Sequence, residues 1–512
     1  MIRNHNLNFI INIHIAGKSY NIMLRRHFLR NLSFVSAGLV LPAQQLFARY
    51  FRLKKPLIKG KVTTAGKGLA GVAISDGYEI IQTATDGSYT LQPHSNARFI
   101  FIILPSGYQF PHKNGVAAFY ASIDGAADEQ AVDFSLEKLS VPDHRHAFII
   151  WGDTQILDKD DAKQLNEISA PETQKVVQSL GNQPVHGIAV GDLVFDKFDL
   201  FPDYKEAVAK TGVPFFQVIG NHDMDLGARS DEHSDKTYCE LFGPTYYSFN
   251  RGKVHYVVLD NVFCIKSSRG YIGYINENQL AWLEKDLALV PAGSTVVVSL
   301  HIPTKTGAAK RAGQREESAA NTTSNRDVLY KMLKPFNAHI MSAHTHVSEN
   351  WIDGNLMEHN HGTVCGAWWS GPICSDGCPP GMGVYLVDGD NLSWYYHPTG
   401  GKKETQMRLY APGKSADRPN SVVANVWNWD PAWKVEWFQD GKTMGEMERF
   451  TGKDPWATEL YLGPELPAKH KWVDPSLTEH LFAATPAFGT KKIMVLAIDR
   501  FGVEFREELN LA

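Results

Sequence analysis

The sequence predicts a central α/β domain between two all-β domains, and three observations carry that reading. Between residues 146 and 346, five apolar runs each stop at a short motif holding Asp, Asn or His, and a helix-like stretch follows the first. Continuous apolar runs alternating with helices are the mark of buried strands in an α/β sheet. On either side, residues 56–138 and 400–512 show short alternating runs with glycine turns and no helical period. A chain of 512 residues has room for about three domains. Its 43% hydrophobic and 21% charged content excludes disordered, collagenous and coiled-coil classes.

Charge and cysteine narrow the function classes. Fifty-one Lys and Arg against 55 Asp and Glu leave a net charge of −4, and no basic run offers a nucleic-acid-binding patch. Five Cys are too few for a disulfide scaffold, and no C-x-x-C pair is present. Cys374 and Cys378 are candidates to pair with each other or with Cys365 in an oxidising compartment.

Residues 1–48 read as an export region. The run Phe9-Ile10-Ile11-Asn12-Ile13-His14-Ile15 is too short and polar to span a membrane. From Met23, Leu24-Arg25-Arg26-His27-Phe28-Leu29-Arg30 precedes a weakly polar run over residues 32–42, and the small residue Ala48 closes it. A charged start, a modest apolar stretch and a small residue describe a secretory signal peptide. The paired arginines followed by Phe-Leu-Arg resemble a twin-arginine export signal; a soluble helix with a basic end is the alternative. Met23 is then the natural start, and the mature chain, without a transmembrane helix, is expected to be periplasmic or secreted.

Residues 56–138 read as an immunoglobulin-type sandwich, with strands at 58–62, 72–75 and 99–103 and a hairpin over 85–91. The central strands fall at 147–151, 185–190, 213–219, 295–300 and 338–342. Residues 276–289 make an amphipathic helix: Asn276 and Gln279 resemble a capping box, and Leu280, Leu283 and Leu287 share a face. Residues 305–325 lack an apolar period and are expected to be a mobile loop. In the C-terminal domain, Trp427, Trp429, Trp433 and Trp437 stand at even spacings, on one side of a strand if the stretch is extended throughout.

The strand ends carry the chemistry. Ligands bind at the carboxyl ends of strands in α/β sheets. Gathered carboxylates repel, and unpaired buried charge is costly; a pair of divalent cations resolves that cost. Imidazole, carboxylate and amide oxygen without thiolate suit Mn, Fe or Zn. Taken singly, each residue has a plainer role: Asp153 and Asp192 as helix caps, Asn221 and His222 as a turn, His301 as a core histidine. Jointly those roles require five coincidences.

Gly152-Asp153-Thr154-Gln155, Gly191-Asp192, Gly220-Asn221-His222-Asp223, His301 and Ala343-His344-Thr345-His346 resemble, in order, the five motifs of the calcineurin-like metallophosphoesterases. The flanking domains resemble those of bacterial exported members. The resemblance implies a four-layer αββα metallophosphoesterase sandwich over 146–394, flanked by immunoglobulin-like domains at 56–138 and 400–512. It implies two divalent metal ions, the first on Asp153, Asp192 and His346, the second on Asp192, Asn221, His301 and His344, with Asp192 bridging. Gln155 stands where most of the family has His, a weaker candidate ligand; Ala343 stands where the family has Gly. His222 would face the substrate as general acid, with Asp223 placed to orient it. A metal-bridging hydroxide would then attack a phosphomonoester, phosphodiester or pyrophosphate bond of a small-molecule phosphate ester.

Three features stand outside that scheme. Glu358-His359-Asn360-His361 is expected to be structural. Trp368 and Trp369 suit either substrate stacking or packing against the C-terminal domain. The four C-terminal Trp suit a core better than a carbohydrate face. The rival function is a surface glycan-binding protein on a degenerate phosphoesterase scaffold, which predicts missing ligands. No Gly-x-Ser-x-Gly elbow supports a serine esterase.

Overall fold

The computed structural model describes residues 55–267 and 270–511, with the two-residue strands His14–Ile15 and Lys18–Ser19, which pair antiparallel. Met23, the twin-arginine-like segment and Ala48 lie outside the described residues.

Among the described residues the centre is a stack of two sheets. In the seven-stranded sheet, Arg145–Trp151, Val185–Val190 and Phe215–Val218 lie side by side and parallel; Gly381–Asp388 and Asn391–Pro398 extend one edge antiparallel. In the six-stranded sheet, Val254–Val258, Thr295–Ser299 and Asn337–Ser342 run parallel. Strand alternation sorts the side chains. Phe148 and Ile150 join the core between the sheets with Val296, Val298 and Ile340. Ile149 and Trp151 turn the other way, onto the helices Ala170–Ser179 and Phe201–Lys210 through Val176, Phe201 and Tyr204. Each such side chain contributes about 1.5–3 kcal/mol by leaving water. Helices Glu277–Leu287 and Arg326–Leu333 cover the six-stranded sheet with Leu280, Leu283, Leu329 and Leu333.

Helix Glu277–Leu287 begins as expected, the Asn276 side chain accepting from the Gln279 amide at 3.1 Å. Gln279 does not return the bond. Its side chain exchanges two hydrogen bonds with the Asp260 backbone, at 2.9 and 2.8 Å, which fastens the helix to the strand end before the site.

The N-terminal unit is two small sheets, one around Leu57–Thr64 and one around Phe99–Ile102. Two of its segments leave it: His112–Lys113 and Val116–Ala117 extend the seven-stranded sheet, Val116 pairing parallel with Phe215. Most of its buried apolar residues, Ile58, Val62, Ile100 and Phe110 among them, belong to the core between the two central sheets, and Phe99 and Val116 join the core on the other face of the seven-stranded sheet. The C-terminal unit is two four-stranded sheets, 407–453 with Leu477–Ala484 supplying one and 434–510 the other. It has its own core, including Val422, Trp433, Val435, Phe482 and Val495.

Three expectations need correction. Residues 305–325 are not without structure of their own: Ala308–Arg311 is a helical turn, Arg311 pairs with buried Glu349, and Thr306 Oγ1 donates to Glu349 at 2.7 Å. The segment is held by polar contacts, so it carries no apolar period. The four Trp do not share a strand, because the chain turns between Val422–Val426 and Lys434–Gln439 with Asn428 at φ 53°. Trp427, Trp433 and Trp437 are nonetheless buried. All five Cys are free and buried, so none of the considered pairings forms. Glu358, His359 and His361 are buried in the sandwich; His361 bonds Ser342 O and Tyr385 Oη at 3.0 and 2.8 Å.

Candidate metal centre

The motif residues come from both sheets. Asp153, Asp192 and Asn221 follow three adjacent parallel strands of the seven-stranded sheet; His301, His344 and His346 follow two adjacent strands of the six-stranded one. The carboxyl ends of both sets meet at one edge of the stack. The loops there are strained: Asp153 and Gln155 sit at φ 39°, Asp192 at 50°, His344 at 69° and His346 at 55°. Such backbone costs on the order of 1–3 kcal/mol per residue and persists where the surroundings demand it. Two glycines show how close the packing is. A Cβ on Gly191, at φ 91°, would overlap the His301 ring, and one on Gly220 would overlap Asp192.

One half of the centre is a convergence of lone pairs. His301 Nδ1 bonds the Val190 carbonyl at 2.8 Å, so Nδ1 is the donor and Nε2 of the neutral ring is bare. His344 Nε2 bonds the Ala320 carbonyl at 3.1 Å, which leaves Nδ1 bare. These two nitrogens lie 3.1 Å apart, and His301 Nε2 is also 3.1 Å from Asn221 Oδ1 and 3.3 Å from Asp192 Oδ1. Burial works against a charge on His301, yet Asp192 lifts its pKa to about 9; burial and the neighbouring His301 push His344 down to about 3. A single proton on His301 Nε2 faces three acceptors, more than one N–H can satisfy. A divalent cation can be shared by all four atoms, so this donor set fits one.

The other half is built around Asp153. Its carboxylate is fully buried; Oδ2 accepts from the His344 amide at 3.1 Å, Oδ1 lies 3.5 Å from His346 Nε2, and Oδ1 has no hydrogen-bond donor. Gln155 Nε2 donates to Asp192 Oδ2 at 2.9 Å, while its Oε1 is buried without a partner. Unpaired buried oxygens are costly, and a cation beside Asp153 would relieve both. Asp192 thus turns Oδ2 to this half and Oδ1 to the other.

His222 stands at the rim of the centre. Its amide donates to Asp192 Oδ1 at 2.9 Å, and its Nδ1 bonds Asp196 Oδ1 at 2.9 Å. Asp223 does not orient this imidazole, which corrects the expectation. It is buried under the neighbouring loop, where the amides of Leu193, Val194 and Gly220 donate to it at 2.9–3.2 Å. Burial and the charge of Asp192 push its pKa up to about 7. Asp223 therefore shapes the Asp192 loop, and Asp196 holds the histidine. The signal for Asp196 was its place four residues after Asp192, on the same loop.

Other contributors have no motif. Asn261 Oδ1 accepts from the amides of His301 and Ile302 at 3.2 and 3.1 Å, fixing the turn that presents His301. Trp368 stacks on His346 with centroids 4.1 Å apart and packs against the C-terminal unit beside Ala457, Tyr461 and Val473, as the packing reading expects. Trp369 Nε1 donates to Thr154 O at 2.9 Å. A cleft of about 1020 Å³ opens onto the centre; besides the motif residues, Phe195, Trp368, Lys453, His470 and Trp472 line it.

A second group of metal-capable side chains, Asp376, Cys378 and His480, lies among the described residues. Its members are paired already. His480 bonds Asn425 Oδ1 at 2.8 Å and Asp376 Oδ2 at 3.3 Å, and Asp376 accepts from the amides of Ser348 and Cys378, each at 2.9 Å. It fastens the C-terminal unit.

Comparison with known proteins agrees with this geometry. Three family models match in sequence order: the N terminal of calcineurin-like phosphoesterase over residues 56–139, calcineurin-like phosphoesterase over 146–348, and the C terminal of calcineurin-like phosphoesterase over 358–505. Purple acid phosphatase 15 of Arabidopsis thaliana is 26% identical over 247 residues, 44% of this chain and 38% of that protein. The chain thus spans well under half the length of the curated relative it matches. Among solved structures, the purple acid phosphatase PPD1 from yellow lupin (Lupinus luteus) aligns with TM-score 0.36 and 14% identity over 68% of this chain and 72% of that one. PhoD aligns with TM-score 0.34 and 8% identity over 90% and 86%. These structural likenesses are loose, and the assignment rests on the three models in their order: the chain belongs to the calcineurin-like phosphoesterases.

Proposed function

We propose that the protein is a dinuclear metal-dependent hydrolase of a phosphomonoester, phosphodiester or pyrophosphate bond. One observation carries this reading: Asp192 presents a separate carboxylate oxygen to each of two buried donor sets, one with three acceptors around His301 Nε2 and one with unpaired oxygens on Asp153 and Gln155. Asp153, Asp192 and His346, with Gln155 Oε1 as a weaker donor, would hold one ion. Asp192, Asn221, His301 and His344 would hold the other. Mn, Fe or Zn suits this mixture of imidazole, carboxylate and amide oxygen. Bound there, such ions would lower the pKa of water and offset the charge on the phosphoryl oxygens of the ester.

The side chains supply the rest. Asp196 accepts from Nδ1 of His222, so the second proton of the doubly protonated ring sits on Nε2, from which it would pass to the departing oxygen as the bond to phosphorus breaks. The oxygen of water takes its place on phosphorus. The strained loops keep the ligands in position before substrate arrives.

The glycan-binding rival predicts lost ligands, whereas every candidate metal ligand reaches the centre; nothing in the comparisons supports glycan contact. We read the flanking units as immunoglobulin-like because each is a pair of packed sheets. We also place the mature protein in the periplasm or outside the cell, on the twin-arginine-like segment. Among the described residues no helix is long and apolar enough to cross a membrane.

Asp192→Asn and His222→Ala should each remove nearly all hydrolysis of an aryl phosphate and a bis-aryl phosphate while circular dichroism stays native. Dialysis against a chelator should silence the wild type, and Mn or Zn should restore it. Full activity in either variant contradicts the proposal.

A further inference from the structure

Six aromatic rings form a continuous arc from one side of the centre to the other. Phe195 stacks on His222 with centroids 4.3 Å apart, and His470 lies 6.4 Å beyond Phe195. Trp472 follows at 5.3 Å from His470, Trp368 at 4.7 Å from Trp472, and Trp368 stacks on His346 at 4.1 Å. All six rings line the cleft. Two of them, His470 and Trp472, come from the C-terminal unit, more than 100 residues beyond the last motif.

That segment is built into place. Lys469 reaches across to the start of helix Lys159–Gln164, where it pairs with Asp158 at 2.7 Å and with buried Asp161. The next residue, His470, sits at φ 52°, a strained conformation for a residue other than glycine. Trp472 then stands 56% exposed at the mouth of the cleft. A large indole held in water by a clamped, strained loop is a poor packing choice and a good ligand platform.

The chemistry assigned to His222 fixes what the arc faces. The group that leaves must sit beside the histidine that protonates it, and the next rings outward are Phe195 and His470. The cleft, at about 1020 Å³, also has far more room than a phosphoryl group needs. We infer that this arc is the wall that receives the leaving group, and that the substrate is a phosphoester whose alcohol carries a flat aromatic ring, as a nucleoside or an arylalkyl alcohol does. The inference rests on the phosphoesterase reading and adds a substrate class to it. The C-terminal unit is thereby a specificity element.

The test uses the full-length metal-loaded protein and three phosphate monoesters with leaving alcohols of similar acidity: benzyl, cyclohexylmethyl and butyl, each also as its methyl diester. Base–aromatic stacking predicts that benzyl is preferred over both others about tenfold in kcat/KM, and that Trp472→Ala lowers this preference about tenfold. Trp472→Phe should restore most of it. Binding of benzylphosphonate, followed by calorimetry, should weaken about tenfold in Trp472→Ala, with butylphosphonate affected less. Equal preference for benzyl and cyclohexylmethyl in the wild type, or a preference that Trp472→Ala leaves in place, overturns the inference while the hydrolase reading stands. Hydrolysis of none of these esters overturns the inference, and inactivity toward the aryl and bis-aryl phosphates as well overturns the hydrolase reading.

Discussion

Phe110, from the N-terminal unit, wedges between the two central sheets, 5.1 Å from Phe216 of one and 5.2 Å from Phe249 of the other, with Arg251 over its face at 3.7 Å. Nothing from that unit lines the cleft. The C-terminal unit does the reverse. It keeps a separate core, docks through a buried polar network at Asp376, Asn425 and His480, and sends His470 and Trp472 to the mouth of the cleft. Two β units that look alike in sequence are therefore placed differently. One shares the core of the sandwich, and the other completes the wall of the cleft.

The largest expected effect that would break this comparison lies in the N-terminal unit. Phe110→Ala should cost about 3–5 kcal/mol of stability, the usual range for a buried aromatic, read as a fall in denaturation midpoint. The activity per folded molecule should not change. Altered kcat or KM in a fully stable variant would place that unit in function after all.

Acid should loosen the sandwich next. Burial holds His146, His339 and His361 down to about 4. The unfolded chain takes up these protons near pH 6.5 and the folded chain only near 4, so stability is complete above 6.5 and falls as pH drops through that window. Each histidine contributes roughly 3 kcal/mol. His146 bonds Tyr256 Oη at 2.6 Å near the N-terminal unit, while His339 lies 5.7 Å from Trp394, which meets Phe501 of the C-terminal unit. Denaturant midpoints measured at pH 7 and pH 5 should differ clearly; identical midpoints would contradict the assignment of these rings as neutral.

The smallest effect on stability belongs to the C-terminal unit. Trp472→Ala, expected to alter substrate preference, should shift stability by less than about 1 kcal/mol because the indole is exposed. A thermal melt checks it, and a large loss would make Trp472 a structural residue.

The legible parts of the molecule are those where one local rule decides. The strand Val185–Val190 is observed over the span its apolar run predicts, and the motif residues at strand ends meet as their types required. That the ends belong to two stacked sheets came from the family resemblance, since apolar runs do not reveal which strands pair. The contacts of residues 305–325 were not legible because Arg311–Glu349 and Thr306–Glu349 are polar pairs that leave no periodicity. Asp223 was misassigned for a related reason. Adjacency in sequence to His222 suggested a partner, but the turn sends the carboxylate to three backbone amides and brings Asp196 to the imidazole instead. His470 and Trp472 were invisible because their role depends on how a distant unit docks.

The central claim is a two-ion centre bridged by Asp192, and metal content tests it most directly. Protein stripped with a chelator, reloaded with Mn or Zn, desalted and measured by elemental analysis should hold two ions per chain, and Asp192→Asn should hold at most one. A wild type that retains none, or a variant that retains as many as the wild type, contradicts the account.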